Sequence, residues 1–120
     1  MQQWQWFDYS DFACKCGCNC NKINPELITM LNEARIHAMV SFTINSGYRC
    51  EKHNKAIGST SDNHPSGEAA DIRCTTGPVR IKIIAGLISA GFRRIGFHST
   101  FIHADRMDRA FGRVQSFWDY

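Results

Sequence analysis

The stretch that decides the fold is His64-Pro-Ser-Gly-Glu-Ala-Ala-Asp71, which joins a polar loop to a buried strand. Residues 58–67 are rich in Gly, Ser, Asp, Asn and Pro, a composition typical of a loop. The apolar residues that follow, centred on Ile72, predict a strand over residues 69–74. A histidine and an aspartate therefore lie on either side of a loop-to-strand junction, and both residue types bind metal ions.

Helices are predicted on both sides of this stretch. Asn24-Pro25-Glu26 provides an N-cap, a proline at the first helical position and an acid in the first turn. With apolar residues at helical spacing, it predicts a helix that runs to about Met39. Thr76-Gly77-Pro78 begins a second long helix that ends at Gly91, and residues 50–57 predict a short helix stopped by Gly58.

The remaining elements are short strands. They are predicted at residues 41–45, Arg94–Phe97 and Phe101–Asp105, with Phe117, Trp118 and Tyr120 packed back on the sheet. The predicted fold class is α+β, a small antiparallel sheet flanked by helices. We expect one domain over residues 1–120, with a cysteine-rich N-terminal arm over residues 1–22.

Composition excludes several classes of function. A chain of 120 residues has room for one modest core, and its formal charge of +3 is a mild bias. The basic residues are scattered, so we expect no nucleic-acid partner. No apolar run is long enough to span a bilayer, so we expect no membrane association. The first residues lack a basic and an apolar signal region, which predicts synthesis in the cytoplasm without a signal peptide.

Six cysteines are unusual in so short a chain, and Cys14, Cys16, Cys18 and Cys20 alternate along the arm. Without a secretory signal, free thiols or a metal clip are favoured over a disulfide framework. Cys-x-Cys spacing differs from the Cys-x-x-Cys spacing of structural zinc sites, so a second metal site and simple packing both stay open. The pairing of Cys50 and Cys74 also stays open.

Several ordered blocks carry a family resemblance. They are Ser46-Gly-Tyr-Arg-Cys50, His53-Asn54, Gly58, His64-x-x-Gly67-x-Ala69-x-Asp71-Ile72 and Phe101-Ile-His103-x-Asp105. Over residues 12–120 the chain resembles the zinc D-alanyl-D-alanine carboxypeptidases. That family is related to phage L-alanyl-D-glutamate endopeptidases and vancomycin-resistance dipeptidases, and it shares its fold with hedgehog signalling domains.

The resemblance implies a hedgehog-like fold and one zinc ion per chain, bound by His64, Asp71 and His103. Two histidines and one carboxylate suit a catalytic zinc, which keeps a fourth position open. Arg49 matches an arginine that contacts substrate in relatives, and a guanidinium there can hold a carboxylate or polarise the scissile carbonyl. Its neighbours Tyr48 and Ser46 are predicted to bind substrate.

The general base is the position where this chain departs from its relatives. The endopeptidase and dipeptidase branches resemble each other in placing an acid three residues before the last ligand, where this chain has Thr100. The carboxypeptidase branch has a histidine five residues before that ligand, and His98 matches it. His98 is therefore the predicted catalytic acid–base, although a turn residue stacked on Phe97 or Phe101 is the alternative. Asp62 replaces a usual serine, and Asp105 either orients a ligand or is structural.

The resemblance implies a zinc peptidase that cuts D-amino-acid-containing peptides of bacterial peptidoglycan, and we expect it to be a monomer. We expect it to act on the cell wall as a phage-type protein, during host lysis or from the virion. One alternative is a catalytically inactive, zinc-stabilised hedgehog-like binding or assembly module. Another is a cysteine-based metal or redox protein built on Cys14, Cys16, Cys18 and Cys20.

Overall fold

A computed structural model describes residues 4–120, and Met1, Gln2 and Gln3 of the predicted arm lie outside them. Along the chain the helices are α1 (Pro25–Ala38), α2 (Glu51–Ala56), α3 (Gly77–Ser89) and α4 (Met107–Phe111). The strands are β1 (Ile44–Ser46), β2 (Ala69–Arg73), β3 (Arg94–Phe97), β4 (Phe101–Asp105) and β5 (Ser116–Asp119). The α+β class predicted from the sequence is confirmed. In the described part of the chain, no helix is long and apolar enough to cross a membrane.

Helix α1 begins where its sequence predicts. The Asn24 side chain accepts a hydrogen bond from the Glu26 amide at 3.0 Å, and Pro25 occupies the first turn. The helix ends at Met39, which adopts a left-handed conformation with φ of 57°. Its buried residues face α3, and the two helices form one layer of the molecule.

The sheet has the strand order β1-β2-β4-β3-β5. The first four strands are antiparallel, as predicted, but β5 pairs in parallel with β3. The prediction of an antiparallel sheet is therefore wrong at this edge. The reason is α4, a five-residue helix absent from the sequence prediction, which carries the chain back before β5 begins. The tail does pack on the sheet, as predicted.

Strand alternation gives the sheet two different faces. One face carries apolar side chains with no exposed surface, namely Ala70, Ile72, Ile95, Ile102 and Ala104. They belong to the same core as the buried residues of α1 and α3. Their neighbours Asp71, His103 and Asp105 point to the opposite face, because successive side chains on a strand alternate. Polar residues are thus concentrated on the sheet face away from the helices.

The N-terminal arm is irregular except for a single 3-10 turn, Tyr9–Phe12. Phe12 is fully buried, and its carbonyl accepts a hydrogen bond from the Tyr48 amide at 2.8 Å. A Cβ atom at Gly47 would lie 2.7 Å from the Phe12 Cα, so this close approach requires glycine. The arm is therefore packed against the segment that follows β1.

Strand β1 is shorter and later than predicted. The pattern indicated residues 41–45, whereas the strand covers Ile44–Ser46. Phe42 lies in the core beside Phe7, with ring centroids 6.5 Å apart, so it packs as a loop residue. Ser46 instead pairs with Asp71 of β2, which brings the end of β1 to the polar face of the sheet.

Candidate metal centre

Two adjacent strands bring Asp71 and His103 together. They are direct partners in the antiparallel register of β2 and β4, so their side chains leave the same face. The His103 Nδ1 lies 3.0 Å from the Asp71 Oδ1. The exposed fractions of the two residues are 8% for Asp71 and 1% for His103. The sheet therefore fixes both groups before any ion binds.

His64 reaches the same point from the loop before β2. Its Nε2 lies 3.3 Å from the Asp71 Oδ2, and its ring meets the His103 ring edge-on at 5.3 Å. Its other nitrogen, Nδ1, is 2.8 Å from the Gly47 carbonyl oxygen, which can only accept. Nδ1 therefore carries the proton, and Nε2 presents a lone pair towards Asp71.

The donor atoms of His64, Asp71 and His103 all lie within 4.8 Å of one another. Two imidazole nitrogens and a carboxylate oxygen form the donor set that zinc prefers in hydrolytic sites. Burial raises the pKa of Asp71, but the neighbouring His103 and His64 rings outweigh it and hold that pKa well below its usual range. The carboxylate is thus ionised, as a metal ligand must be. The residues fit a zinc ion.

Asp105 orients His103, a role that the sequence left open. The Asp105 Oδ2 lies 2.7 Å from the His103 Nε2, so this nitrogen donates and Nδ1 is left as the ligand atom. Arg94 Nε donates to the Asp105 Oδ1 at 2.7 Å, and the Met107 amide donates to the same oxygen at 3.0 Å. The sequence signal for this role was the spacing of two residues between His103 and Asp105, which puts both side chains on one face of β4.

Arg49 and Ser46 are joined to two of the candidate ligands through the backbone, since the Arg49 amide bonds to His64 and Ser46 pairs with Asp71. Arg49 Nη2 donates to the Ser46 Oγ at 3.1 Å and Nη1 donates to the Asn54 Oδ1 at 3.0 Å. The Arg49 amide also donates to the His64 carbonyl at 3.4 Å. Within residues 4–120, no carboxylate forms an ion pair with Arg49. Its positive charge is held in place by neutral partners and is not neutralised.

Tyr48 lies in a different environment from the other residues of its block. Its exposed fraction is 7%, and it belongs to the hydrophobic core. Burial, followed by the nearby cysteine thiols, raises the pKa of its hydroxyl. The Tyr48 ring is therefore not available as a substrate ligand, since an inward-packed aromatic ring cannot present its face to a peptide.

His98 follows β3 on the polar side of the sheet. Its ring stacks on Phe101 with centroids 4.4 Å apart, which is the contact that the sequence offered as an alternative to catalysis. The Thr100 amide donates to the His98 Nδ1 at 3.2 Å, and the Thr100 hydroxyl lies at the same distance from that nitrogen. Among the described residues, the His98 Nε2 has no hydrogen-bond partner. The stacking of His98 on Phe101 therefore leaves the His98 Nε2 without a partner among the described residues.

Asp62, which replaces the serine of relatives, points away from the metal ligands. Its Oδ2 forms an exposed ion pair with Arg113 at 2.8 Å. This hydrogen bond lowers the pKa of Asp62. The substitution therefore joins the His64 loop to the C-terminal segment and supplies no contact to His64 or Asp71.

The C-terminal aromatic residues pack against His103 and His98. The sequence predicted that they pack on the sheet but assigned them no role. Trp118 packs over Gly96, where a Cβ atom would lie 2.7 Å from the indole, and its ring centroid is 5.5 Å from that of His103. Tyr120 lies 5.7 Å from His98. Burial, followed by the charge of Asp71, raises the pKa of Tyr120 to about 12.

The tryptophans do not form a single platform. Trp4 and Trp6 pack on α1, where Trp4 donates to the Thr29 Oγ1 at 3.1 Å and Arg35 lies 4.0 Å above the Trp6 ring. Trp118 alone among the three contacts a predicted metal ligand.

Comparison with known proteins gives the family. No curated protein matches the chain at a significant level. The family model described as Peptidase M15 matches residues 5–105, a range that includes the three candidate ligands, Arg49 and His98. With this match and the metal-binding group, the chain belongs to the Peptidase M15 family of zinc-dependent metallopeptidases.

Proposed function

We propose that this peptidase hydrolyses D-amino-acid-containing peptide bonds of bacterial peptidoglycan, in the manner of a D-Ala-D-Ala carboxypeptidase, and acts on the cell wall. The observation that carries the proposal is the guanidinium of Arg49, which has no carboxylate partner among the described residues and donates to Ser46, the strand partner of the candidate ligand Asp71. A cationic side chain next to a hydrolytic metal centre suits a substrate that bears a carboxylate near the scissile bond.

Zinc, when bound, lowers the pKa of a water molecule and polarises the scissile carbonyl. The three ligands hold the ion, and the Gly47 carbonyl and Asp105 fix the rings of His64 and His103. Because both histidines are oriented by hydrogen bonds, little rearrangement is needed when the ion binds. This part of the site is built into the sheet and the loop beside it.

Arg49 binds the substrate carboxylate or the developing oxyanion. Its contacts with Ser46 and Asn54 use one nitrogen each, so the planar guanidinium keeps further N–H donors. Asn54, whose exposed fraction is 7%, also donates to the Ser61 carbonyl at 2.8 Å. Asn54 is therefore a positioning residue that ties Arg49 to the loop that carries His64.

His98 transfers the proton in this proposal. The neutral ring takes up a proton through Nε2 when its own proton is on Nδ1, and the imidazolium so formed can deliver the Nε2 proton to the departing amine. The contact in which Nδ1 accepts from the Thr100 amide belongs to the other tautomer, so the reaction requires the state with the proton on Nδ1. The Thr100 hydroxyl supports that state, because it can accept as well as donate. Thr100 thus assists His98 instead of serving as the base.

Glu68 is an acid close to His64 in the chain, but its contacts are structural. Its Oε1 pairs with Arg106 at 2.8 Å, and its Oε2 accepts from Asn24 at 2.9 Å. Both oxygens are therefore engaged in joining the start of α1 to the end of β4. His98 keeps a free nitrogen, whereas Glu68 does not, and this difference favours His98 as the proton-transfer residue.

The test is digestion of purified peptidoglycan by the zinc-loaded protein, with and without a chelator. We expect chelator-sensitive release of new amino groups, and release of free D-alanine would identify the terminal bond. His98→Ala should lower the rate by about 10²- to 10⁴-fold, the usual contribution of acid–base catalysis, while zinc content stays unchanged. His37→Ala, at an exposed position on α1, is the matched control.

Each other result has a distinct meaning. Zinc binding without hydrolysis of peptidoglycan or of D-amino-acid peptides would favour the catalytically inactive binding module over the peptidase. Full activity in His98→Ala would remove His98 from the reaction but leave the metal centre in place. A folded protein that binds no metal at the His64–Asp71–His103 group would overturn the whole proposal.

A further inference from the structure

A second group of metal-binding side chains lies outside the site described above. The Sγ atoms of Cys14, Cys16, Cys18 and Cys50 all lie within 4.8 Å of one another. Three of these residues belong to the N-terminal arm, and Cys50 is the N-cap of α2. All are free thiols, whereas Cys20 lies outside the group and Cys74 is buried next to Thr76. The group therefore joins two segments that are distant in sequence.

The sulfur separations match tetrahedral coordination. Zinc–sulfur bonds of about 2.3 Å place the corners of a tetrahedron about 3.8 Å apart. The Cys14–Cys16 and Cys16–Cys50 sulfur pairs are separated by 3.5 Å and 3.6 Å. These distances are much longer than a disulfide bond of about 2.05 Å. The sulfurs thus surround a point at which an ion fits without large movement of the chain.

Local backbone contacts favour the thiolate form of three of the sulfurs. The Cys50 amide donates to the Cys14 Sγ, the Cys20 amide to the Cys18 Sγ and the His53 amide to the Cys50 Sγ, each at 3.4 Å. Hydrogen bonds from backbone amides to ligand sulfurs stabilise negative charge, as the outer partners of metal sites do. The arm is shaped for this arrangement by Gly17, whose φ of 89° turns the chain between Cys16 and Cys18.

The group is close-set and open to solvent. Four thiolates within 4.8 Å of one another would repel, and a cation bound between them would remove that repulsion. A surface cavity of about 340 Å³, lined by Cys16, Cys18 and Cys50, gives an ion access from solvent.

We propose that Cys14, Cys16, Cys18 and Cys50 bind a structural zinc ion, separate from the His64–Asp71–His103 centre. This ion fastens the N-terminal arm to the start of α2. Cys50 directly follows Arg49, and the Tyr48 amide already bonds to the Phe12 carbonyl of the arm. A zinc ion here would hold the C-terminal end of the Ser46–Cys50 segment in place. The site rests on its own residues and is independent of the peptidoglycan proposal.

The test is a count of metal per chain for the full-length protein, prepared with zinc and a reductant and measured by native mass spectrometry. We expect two zinc ions in the wild type. One should remain in the double variant Cys16→Ser/Cys18→Ser, which changes two exposed residues, and one in Asp71→Asn. Cys20→Ser, at an exposed cysteine of the same arm, is the matched control and should keep both ions.

Cobalt substitution identifies which site is lost. In Asp71→Asn loaded with Co²⁺, the intense near-ultraviolet absorption of thiolate-to-cobalt charge transfer should persist, whereas Cys16→Ser/Cys18→Ser should lose it. A wild type without this absorption, with thiols shown to be reduced, would overturn the proposal. So would equal zinc content in the wild type and the cysteine variant, or iron in place of zinc. Loss of hydrolysis alone would leave the proposal standing, since its readout is the metal itself.

Discussion

The His64–Asp71–His103 centre and the four-cysteine group hold their donor atoms in different ways. The first group is buried, with exposed fractions of 6%, 8% and 1%, and two of its ligands are paired in adjacent strands. The second has two exposed members, and three of its sulfurs sit on an irregular arm. The sheet positions the first group, whereas the second depends on the packing of an irregular arm against the start of α2.

The contrast extends to the surrounding contacts. Each histidine of the first centre has a hydrogen-bond acceptor on its far side, the Gly47 carbonyl for His64 and Asp105 for His103. The cysteines are supported by backbone amides from their own or neighbouring turns. Catalysis requires ligand geometry that does not change during turnover, and a sheet supplies it. A fastening ion needs only to join two segments.

The largest effect should come from Asp71→Asn. The amide is close in shape but lacks the negative charge that the zinc ion and both histidines require. We expect peptidase activity to fall by more than about 100-fold, beyond the usual cost of losing an outer hydrogen-bond partner. Hydrolysis of D-alanyl peptides measures it, with Asp119→Asn on the exposed edge of β5 as the control. If the cysteine group also lost its metal, the two sites would not be separate, and the comparison would fail.

A smaller loss of activity is expected for Arg49→Gln. Arg49 connects the two regions, because it directly precedes Cys50 and its amide bonds to the His64 carbonyl. A hydrogen bond to a charged group contributes about 1.5–3 kcal/mol, which corresponds to roughly 10- to 150-fold in kcat/KM. Steady-state kinetics on a peptide with a free terminal carboxylate measure the loss, and Arg113→Gln changes an exposed arginine as the control. An unchanged kcat/KM would mean that the uncompensated charge of Arg49 does not reach the substrate.

The smallest of these effects should follow Asp105→Asn. This change weakens the acceptor that fixes the His103 ring, and the loss of such a partner costs about 10- to 100-fold in metal affinity. Competition with a chelator for the catalytic zinc measures it, and Asp62→Asn, at the exposed ion pair with Arg113, should leave zinc affinity unchanged. Equal effects of the two changes would show that rigid support of the histidine is not what distinguishes the centre on the sheet.

Much of the fold follows from local signals. The capped start of α1 at Asn24, the strands Arg94–Phe97 and Phe101–Asp105 and the loop that carries His64 lie where their residues predict. Such signals act over a few residues, through caps, turns and alternation. Strand β1 and helix α4 were displaced or missed because each is at most five residues long, and packing overrides propensity at that length.

In the candidate site, too, some features follow from local sequence signals and others depend on packing. The types of residue in the motifs pointed to His64, Asp71, His103, Arg49 and His98, and the structure brings the donor atoms of the first three within 4.8 Å of one another. Tyr48 belongs to the same motif, yet its burial depends on the arm that covers it. The support of Asp105 by Arg94 was not evident, because these residues belong to different strands.

The sequence by itself determined the kind of metal chemistry in this protein, since the nitrogen, oxygen and sulfur donors are set by residue type alone. It also determined that histidine and aspartate lie at a loop-to-strand junction. Only the tertiary structure decided that Cys50, and not Cys20, completes the cysteine group, and that β5 runs parallel to β3 and places Trp118 against His103. The physical reason is distance along the chain. Contacts between Cys50 and the arm arise from packing of the whole core, which no local pattern encodes.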